Sequence, residues 1–369
     1  MILTGINLKN FRSHKNIAIQ FSEKLNFIVG GNGQGKTSIL ESVFYLCTTK
    51  SHNSSDNEVV RFNENDFEVA GSFRNITGNN IRVYYSLNEN KKYYFKDNKQ
   101  VTRYADIIGE FPVVILTPSD HAITQGAPAD RRKFVDSVIS QASDIYLNTL
   151  LDYNKTLRQR SSLLFQIREN RHNHLMDELK AWTQRLIDLG TKVINYRKKF
   201  IIEFEEYVKD SYKTMMNDEE QSRIKYSFLE DYKEADVEKR FNELIAERRD
   251  EEIKRAQNLV GPQRDDFVFE INDLNLKTFG SQGQHKTFQV VLRFAEFFYL
   301  KEITGKTPIF LLDDVFGELD ANRAAKISGC LRQVGQAFIT LTDFANFSFL
   351  HRNDEDKVIK LNSGQIVYA

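Results

Sequence analysis

Cysteine and long apolar runs are both scarce in this sequence of 369 residues. Cys47 and Cys330 are the only cysteines, too few for a disulfide framework and not spaced as a metal site. No apolar run approaches the roughly 20 residues that span a bilayer, and the amino-terminal MILTGINLKNF has no basic-then-apolar leader. These absences predict a soluble protein of the cytoplasm with no membrane partner.

An excess of charge of either sign is also missing. The chain has 51 basic and 51 acidic side chains, so no overall field draws it to nucleic acid or anionic lipid. Any contact with DNA must therefore come from a local cluster of cations. The candidates are Arg131, Arg132, Lys133, Arg158, Arg160, Arg197, Lys198 and Lys199. The alternative is that these side chains cover solvated helix faces.

Helix-breaking residues are rare in the middle of the chain. Residues 129 to 261 contain no proline and only two glycines, Gly190 and Gly261, which predicts a mostly helical region. No heptad pattern runs far enough for an extended coiled coil. We therefore predict one domain formed by residues 1–128 and 261–369, interrupted by a helical lobe or short arm at residues 129–260.

The flanking segments have the patterns of strands. Leu25–Val29 and Ile309–Leu312 are apolar throughout, as buried parallel strands are. Between residues 69 and 101, the runs VAGSF, IRVYYSL and YYF are separated by polar turns, which indicates a β-meander. A long helix is expected from about Ser281, and VIKLNSGQIVY is expected to form a terminal hairpin. The predicted fold class is α/β with a helical insertion.

The segment GGNGQGKT, Gly30–Thr37, fits the phosphate-loop pattern GxxxxGK[ST]. Backbone N–H groups of such a loop can surround phosphates, Lys36 can reach the β and γ oxygens, and Thr37 can bind Mg²⁺. The predicted nucleotide-binding residues are Gly30, Gly31, Asn32, Gly33, Gln34, Gly35, Lys36 and Thr37. The alternative is a chance glycine loop, which the buried strand before it and the helical run after it argue against.

A second element of such a site is expected at PIFLLDD. Here an apolar strand ends in Asp313 and Asp314. A carboxylate at a strand end can hold Mg²⁺, and a second carboxylate can orient or deprotonate the attacking water. We assign Asp313 to the metal and Asp314, together with Lys36, to catalysis. The alternative for Asp313 alone is an acidic helix cap after a core strand.

Two further segments narrow the class of ATPase. SQGQ, Ser281–Gln284, stands where ABC-type ATPases have their LSGGQ signature, and GELD, Gly317–Asp320, follows the acidic strand as a D-loop does. A helix that begins at Ser281 offers unpaired N–H groups to an anion, although alone it could be a simple capped helix. The order of phosphate loop, helical insertion, signature, acidic strand and D-loop resembles the RecF family, relatives of the SMC ATPases.

The resemblance covers essentially the whole chain. LKNFRSH, Leu8–His14, looks like the family's amino-terminal strand motif, and it implies that Arg12 lies near the nucleotide. VGPQRDDF, Val260–Phe267, is similar to the motif that leaves the helical lobe. Many ABC ATPases have a glutamate where this chain has Asp314, which is one methylene shorter, so slow turnover is expected. The resemblance implies an ABC-type, SMC-like head that binds ATP and Mg²⁺.

The resemblance also implies a function and partners. RecF-like proteins are ATP-controlled clamps that bind double-stranded DNA near its junction with single strands. With RecR and RecO they help to load RecA, which supports recombinational repair, replication restart and SOS induction. In ABC-type heads the signature acts in trans on the partner's nucleotide. An ATP-dependent homodimer is therefore implied, with trans contacts from Ser281, Gln282, Gly283, Gln284 and Asp320.

Other classes of protein remain as alternatives. Another ABC/SMC-like ATPase acting on DNA structure would share these motifs. A metabolic P-loop kinase would keep the phosphate loop but would have no use for SQGQ or the D-loop. A structural tether would need longer coiled arms, and a transporter ATPase would need a membrane partner. The switch histidine of ABC ATPases is replaced by Thr342 in TLTD, so the γ-phosphate sensor stays open.

Overall fold

A computed structural model of the protein describes residues 1–74, 78–169, 173–216, 220–231, 236–318, 321–343, 353–362 and 364–367. The strands are β1 Ile2–Phe11, β2 His14–Gln20, β3 Leu25–Val29, β4 Asp66–Arg74, β5 Asn79–Ser86, β6 Lys91–Lys96, β7 Lys99–Val101, β8 Val113–Leu116, β9 Ser222–Ser227, β10 Asp266–Ile271, β11 Leu274–Asn275, β12 Ile309–Leu312, β13 Ala337–Leu341, β14 Lys357–Asn362 and β15 Gln365–Val367. The α-helices are α1 Lys36–Thr48, α2 Asp56–Val59, α3 His121–Gln125, α4 Pro128–Ala142, α5 Asp144–Glu169, α6 Asn173–Met216, α7 Val237–Arg255, α8 Leu276–Phe279, α9 Gln282–Thr304 and α10 Ala321–Leu331.

The chain divides into two compact units. One unit contains Met1–Asp120 together with Gln289–Ala369, and the other contains His121–Phe288. The second unit is wider than the helical lobe predicted at residues 129–260, and it includes the signature segment Ser281–Gln284. None of the described helices combines the length and the apolar character that a membrane span requires.

The first unit contains two six-stranded sheets. The antiparallel sheet has the order β2-β1-β4-β5-β6-β7, which includes the predicted meander. The other sheet has the order β15-β14-β3-β13-β12-β8, and only its edge pair β14–β15 is antiparallel. Helix α1 packs against strands of both sheets. The approach is close, because a Cβ added at Gly71 of β4 would lie 2.6 Å from Leu46 Cδ1 of α1.

The strand order of the parallel sheet places the predicted motifs at one edge. Strand β13 lies between β3 and β12, and all three run in the same direction. The carboxyl ends of parallel strands meet at one edge of a sheet, where α/β proteins bind ligands. The phosphate loop follows β3 and the acidic pair follows β12. The fold therefore brings these two motifs, more than 270 residues apart, to neighbouring strand ends.

The second unit is mainly helical, as the lack of proline and glycine predicts. Helices α4 to α7 occupy most of it, and α5 packs along α6. A three-stranded sheet, β11-β10-β9, was not predicted in full, because β9 lies inside the region expected to be helical. Ser222 and Ile224 of β9 are buried, while Arg223 between them and Lys225 after them are exposed. This alternation is that of a strand with one covered face.

Several residues of the predicted basic clusters are held by internal ion pairs. Arg131 binds Asp266 with both Nε and Nη2, at 2.7 and 2.9 Å. Arg197 binds Asp136 and also Asp265, with Arg197 Nη1 at 3.1 Å from Asp265 Oδ2. Both arginines are buried. These two side chains therefore do not cover a solvated helix face, and their guanidinium groups are engaged inside the protein and not available to DNA phosphates.

Candidate nucleotide-binding site

The phosphate loop has the backbone that its glycines allow. Gly33 and Gly35 have φ values of 76° and 87°, in the left-handed region that favours glycine. Gly35 is also tightly enclosed, because an added Cβ would lie 2.6 Å from both His14 Nε2 and Ser13 Oγ. The loop ends where α1 begins at Lys36, so the free N–H groups of the first helical turn face the loop. This arrangement is a cradle for phosphate.

The ammonium group of Lys36 is hydrogen-bonded to the start of the phosphate loop. Its Nζ donates hydrogen bonds to the carbonyl oxygens of Gly30 at 2.7 Å and Gly31 at 2.9 Å. An ammonium group has three protons to donate. Among the described residues the structure gives Lys36 Nζ these two acceptors, which leaves its third proton available for a phosphate oxygen.

Asp313 joins the phosphate loop to the parallel sheet. Its Oδ1 accepts hydrogen bonds from Thr37 Oγ1 at 3.0 Å and from Thr340 Oγ1 at 2.8 Å. Burial raises the pKa of the Asp313 carboxyl above its ordinary value, although the hydrogen bonds from Thr340 and Thr37 oppose the rise. The structure thus brings together the two residues that were predicted to bind the metal.

The pair Thr37 and Asp313 fits Mg²⁺. Adjacent ligands of an octahedral ion at 2.0–2.1 Å lie about 2.9 Å apart, and the two side-chain oxygens are 3.0 Å apart. No group of three or more His, Cys, Asp or Glu side chains in the described residues could hold a metal ion. Mg²⁺ ordinarily needs no such cage, because one or two side chains and the substrate phosphates complete its coordination.

Asp314 occupies a special backbone position beside this pair. Its φ is 50°, and its N–H donates to Thr340 Oγ1 at 2.8 Å. The left-handed turn takes the side chain out of the sheet, and Asp314 is exposed and lines the cleft. Thr340 therefore holds both aspartates, which sequence reasoning did not foresee. Thr342, the position named in place of the switch histidine, is exposed.

Arg12 lines the cleft and is firmly held. Its guanidinium forms a bidentate pair with Glu41, with both distances 2.7 Å, and Nη2 also donates to Ser54 Oγ at 2.6 Å. Its Nη1 donates to the Glu58 carbonyl at 2.9 Å. The hydrogen bond to Glu41 raises the pKa of Arg12. These hydrogen bonds fix the position of the Arg12 guanidinium at the side of the cleft and restrict the movement of the side chain.

The hairpin formed by β14 and β15 contacts the phosphate loop, both directly and through His14. The buried His14 ring lies between two carbonyl oxygens, with Nε2 at 3.0 Å from Gly35 O and Nδ1 at 3.2 Å from Gly364 O. The Gly364 N–H donates to Gln34 Oε1 at 3.3 Å. Gln34 thus uses its side chain to support the loop, and it also lines the cleft, so the nucleotide contact expected for it stays a prediction.

An open cleft of about 730 Å³ contains most of the predicted residues. Its lining includes the predicted Arg12, Asn32, Gly33, Gln34, Gly35, Lys36, Thr37, Asp313 and Asp314. Gly30 and Gly31 contribute instead the carbonyls that hold Lys36. Sequence reasoning missed Ser13, Ser38, Glu58, Val60 and Phe62. The only local signal near the last three is a capping box in which Glu58 Oε2 accepts from Ser55 N at 2.8 Å.

The signature segment, in the second unit, forms a capped helix start. Ser281 Oγ accepts from the Gln284 N–H at 3.2 Å, and Gln284 Oε1 accepts from the Ser281 N–H at 2.9 Å. Gln284 Nε2 also donates to Glu220 Oε1 at 2.7 Å. Ser281 and Gln282 are exposed and Gly283 is half-buried. Asp320, the last residue of the predicted D-loop, lies outside the described residues.

Comparisons with known proteins agree on one family. Residues 2–360 match the model of the RecF/RecN/SMC N-terminal domain. A protein of Chloroherpeton thalassium named DNA replication and repair protein RecF is 38% identical over 358 residues, covering 94% of this chain and 96% of the relative. Its namesake from Acetivibrio thermocellus is 36% identical and covers 100% of both chains.

Comparison with solved structures also identifies the RecF family. The structure of the recombination mediator protein RecF-ATP in the RecFOR pathway superposes with a TM-score of 0.90 at 30% identity, covering 99% of this chain and 97% of that chain. An Smc head domain from Pyrococcus furiosus superposes with a TM-score of 0.57 at 15% identity, covering 99% of this chain and 96% of that chain. The second likeness concerns the fold alone.

Proposed function

This chain belongs to the RecF family of ABC/SMC-like ATPases in DNA replication and repair, and we propose that it is an ATP-controlled clamp on DNA. The observation that carries the proposal is the 3.0 Å contact between Thr37 Oγ1 and Asp313 Oδ1. It joins a phosphate loop to an acidic strand end, the two elements that nucleotide hydrolysis requires. A relative described in its ATP form supports ATP as the nucleotide.

The residues of the cleft divide the work of hydrolysis. The phosphate loop binds and orients the phosphates through its N–H groups and Lys36. Thr37 and Asp313 would hold Mg²⁺, which neutralises phosphate charge when bound. Asp314 is assigned to orient the attacking water and to accept its proton at a carboxylate oxygen. Because Asp314 is shorter than a glutamate and its backbone N–H is held by Thr340, we expect weak turnover. That DNA stimulates this turnover is proposed from the family resemblance.

The signature segment is assigned to the partner's nucleotide. Ser281 and Gln282 are exposed at the start of a 23-residue helix, and they are available to a second copy of the chain. A helix start with a capping serine attracts the γ-phosphate. Two protomers would then enclose two ATP molecules, with Gly283, Gln284 and Asp320 completing each site in trans. ATP binding is thus the event that controls dimerisation.

The biological role follows from the family. We propose that the dimer binds double-stranded DNA near junctions with single strands. With RecR and RecO it would help to load RecA, in recombinational repair, replication restart and SOS induction. A relative placed in the RecFOR pathway supports this context. DNA contacts would come from exposed cations such as Lys133 and Lys199, since the buried arginines are engaged.

The test is to measure oligomeric state and duplex DNA binding with ATP, with ADP and without nucleotide. We expect ATP alone to dimerise the wild-type protein and to tighten its binding to DNA. Lys36→Ala should lose both effects through lost ATP binding, whereas Ser281→Arg should bind ATP and fail to dimerise. A substitution at an exposed position of the second unit, Lys155→Ala, controls for general damage in both assays. A wild-type protein that stays monomeric with ATP, or that phosphorylates a small molecule, contradicts the clamp.

A further inference from the structure

Phe62 is a solvent-exposed aromatic residue at the rim of the nucleotide cleft. It is 86% exposed, the highest value among the large apolar side chains that are described as exposed in this structure. Burial of an aromatic ring is favourable because it removes apolar surface from water, and an exposed ring gains little of this stabilisation. Phe62 also lines the cleft. The position therefore points to a ligand that covers the ring.

The backbone around Phe62 is fixed before any ligand arrives. The Arg61 N–H donates to the Asn10 carbonyl at 2.9 Å, and the Arg12 N–H donates to the Val59 carbonyl at 2.8 Å. A tight turn follows, in which the Glu64 N–H donates to the Arg61 carbonyl at 3.0 Å. These bonds attach the segment to the end of β1. The ring is thus presented on a rigid turn, and covering it costs little backbone entropy.

The cleft lining separates into two chemical regions. The groups that suit phosphate and Mg²⁺ come from the loop 30–37 and from the end of β12. The apolar side chains of the lining are Val60 and Phe62, and both come from the segment after α2. A nucleotide has the same division, because its triphosphate is anionic and its base is a flat ring with an apolar face.

We infer that Phe62 is the stacking platform for the base of the bound nucleotide, with Val60 beside it. The inference rests on the proposed function, since it needs the phosphates in the phosphate loop. Stacking of a base on an aromatic side chain is strong and does not read the base edge. Phe62 therefore contributes affinity for purine nucleotides without distinguishing ATP from GTP.

The test separates the base from the phosphates by using three ligands, ATP, GTP and inorganic triphosphate, each with Mg²⁺. Phe62→Ala should weaken ATP binding about tenfold or more, the effect of losing one aromatic stacking contact. It should weaken GTP binding equally and leave inorganic triphosphate binding unchanged. Phe165→Ala is the matched control, because Phe165 is also exposed, at 53%, but lies in the other unit. It should bind all three ligands as the wild type does.

A fluorescent variant provides a second readout. Trp182 is the only tryptophan, so Phe62→Trp in a Trp182→Phe background reports on position 62 alone. Stacking should quench this fluorescence with ATP and not with inorganic triphosphate. If Phe62→Ala binds ATP as the wild type does while Lys36→Ala loses it, the platform is wrong and the proposed function stands. If Lys36→Ala also binds ATP normally, the nucleotide site fails, and the platform fails with it.

Discussion

Thr340 Oγ1 donates to Asp313 Oδ1 at 2.8 Å and accepts the Asp314 N–H at 2.8 Å. A single hydroxyl on the central strand β13 thus sets the position of both acidic residues of the site. Thr340 is 1% exposed, so water does not readily replace it.

Thr340→Val tests this positioning. Valine has the same shape but no hydroxyl, so it removes the partner of the Asp314 N–H and one of the two hydrogen bonds that Asp313 Oδ1 accepts, leaving the one from Thr37. We expect the free energy of unfolding to fall by about 1–3 kcal/mol, and ATP hydrolysis to fall while ATP binding changes little. Chemical denaturation and single-turnover hydrolysis measure these effects. Thr340→Ser should retain hydrolysis, and Thr102→Val, at an exposed position of the same unit, should change neither stability nor hydrolysis. Equal effects of the two valine variants would contradict the positioning role.

Arg160 and Arg158 are neighbours in one predicted basic cluster, yet they have different surroundings. Arg160 is 1% exposed, and its Nη2 lies 2.6 Å from Glu252 Oε2, whereas Arg158 is exposed. Arg160→Ala should lower the free energy of unfolding by about 3–5 kcal/mol, because it leaves Glu252 buried and unpaired. Arg158→Ala should stay within about 0.5 kcal/mol of the wild type. An Arg160→Ala protein of normal stability that loses only DNA binding would overturn this assignment.

Glu296 predicts a pH dependence of stability. Burial raises its pKa to about 7, although Arg293 opposes the rise, and Arg293 is shared with the carboxylate of Asp120. An unfolded glutamate has a pKa of about 4.3. The folded state therefore holds the extra proton between about pH 4.3 and 7, and the stability that Glu296 contributes is lost as the pH rises through this window.

Glu296→Gln should remove that dependence. The free energy of unfolding of the variant, relative to wild type, should rise between pH 5 and pH 8, as measured by chemical denaturation at each pH. Glu302→Gln, at an exposed position of the same helix, should show no such change. A constant difference between Glu296→Gln and wild type across this range would contradict a protonated Glu296.

Much of the head could be predicted because its signals are local. The phosphate loop, the apolar strands β3 and β12 and the capped start of α9 each depend on a few consecutive residues. Thr340 could not be assigned, because its role depends on β13 lying between β3 and β12. Strand β9 was missed because its pairing with β10 decides its structure, and Arg160 because Glu252 is 92 residues away in the sequence. Phe62 belongs to no sequence motif, and its position beside the nucleotide site is visible only in the folded structure.

The central claim is that each ATP is shared between the phosphate loop of one protomer and the signature of the other. Mixing Lys36→Ala and Ser281→Arg proteins tests it directly, because their heterodimer has one site in which both Lys36 and Ser281 are intact. We predict that the mixture hydrolyses ATP and dimerises with ATP measurably more than either variant alone. A mixture no more active than its two components, while mixtures of either variant with wild type stay active, would contradict action in trans.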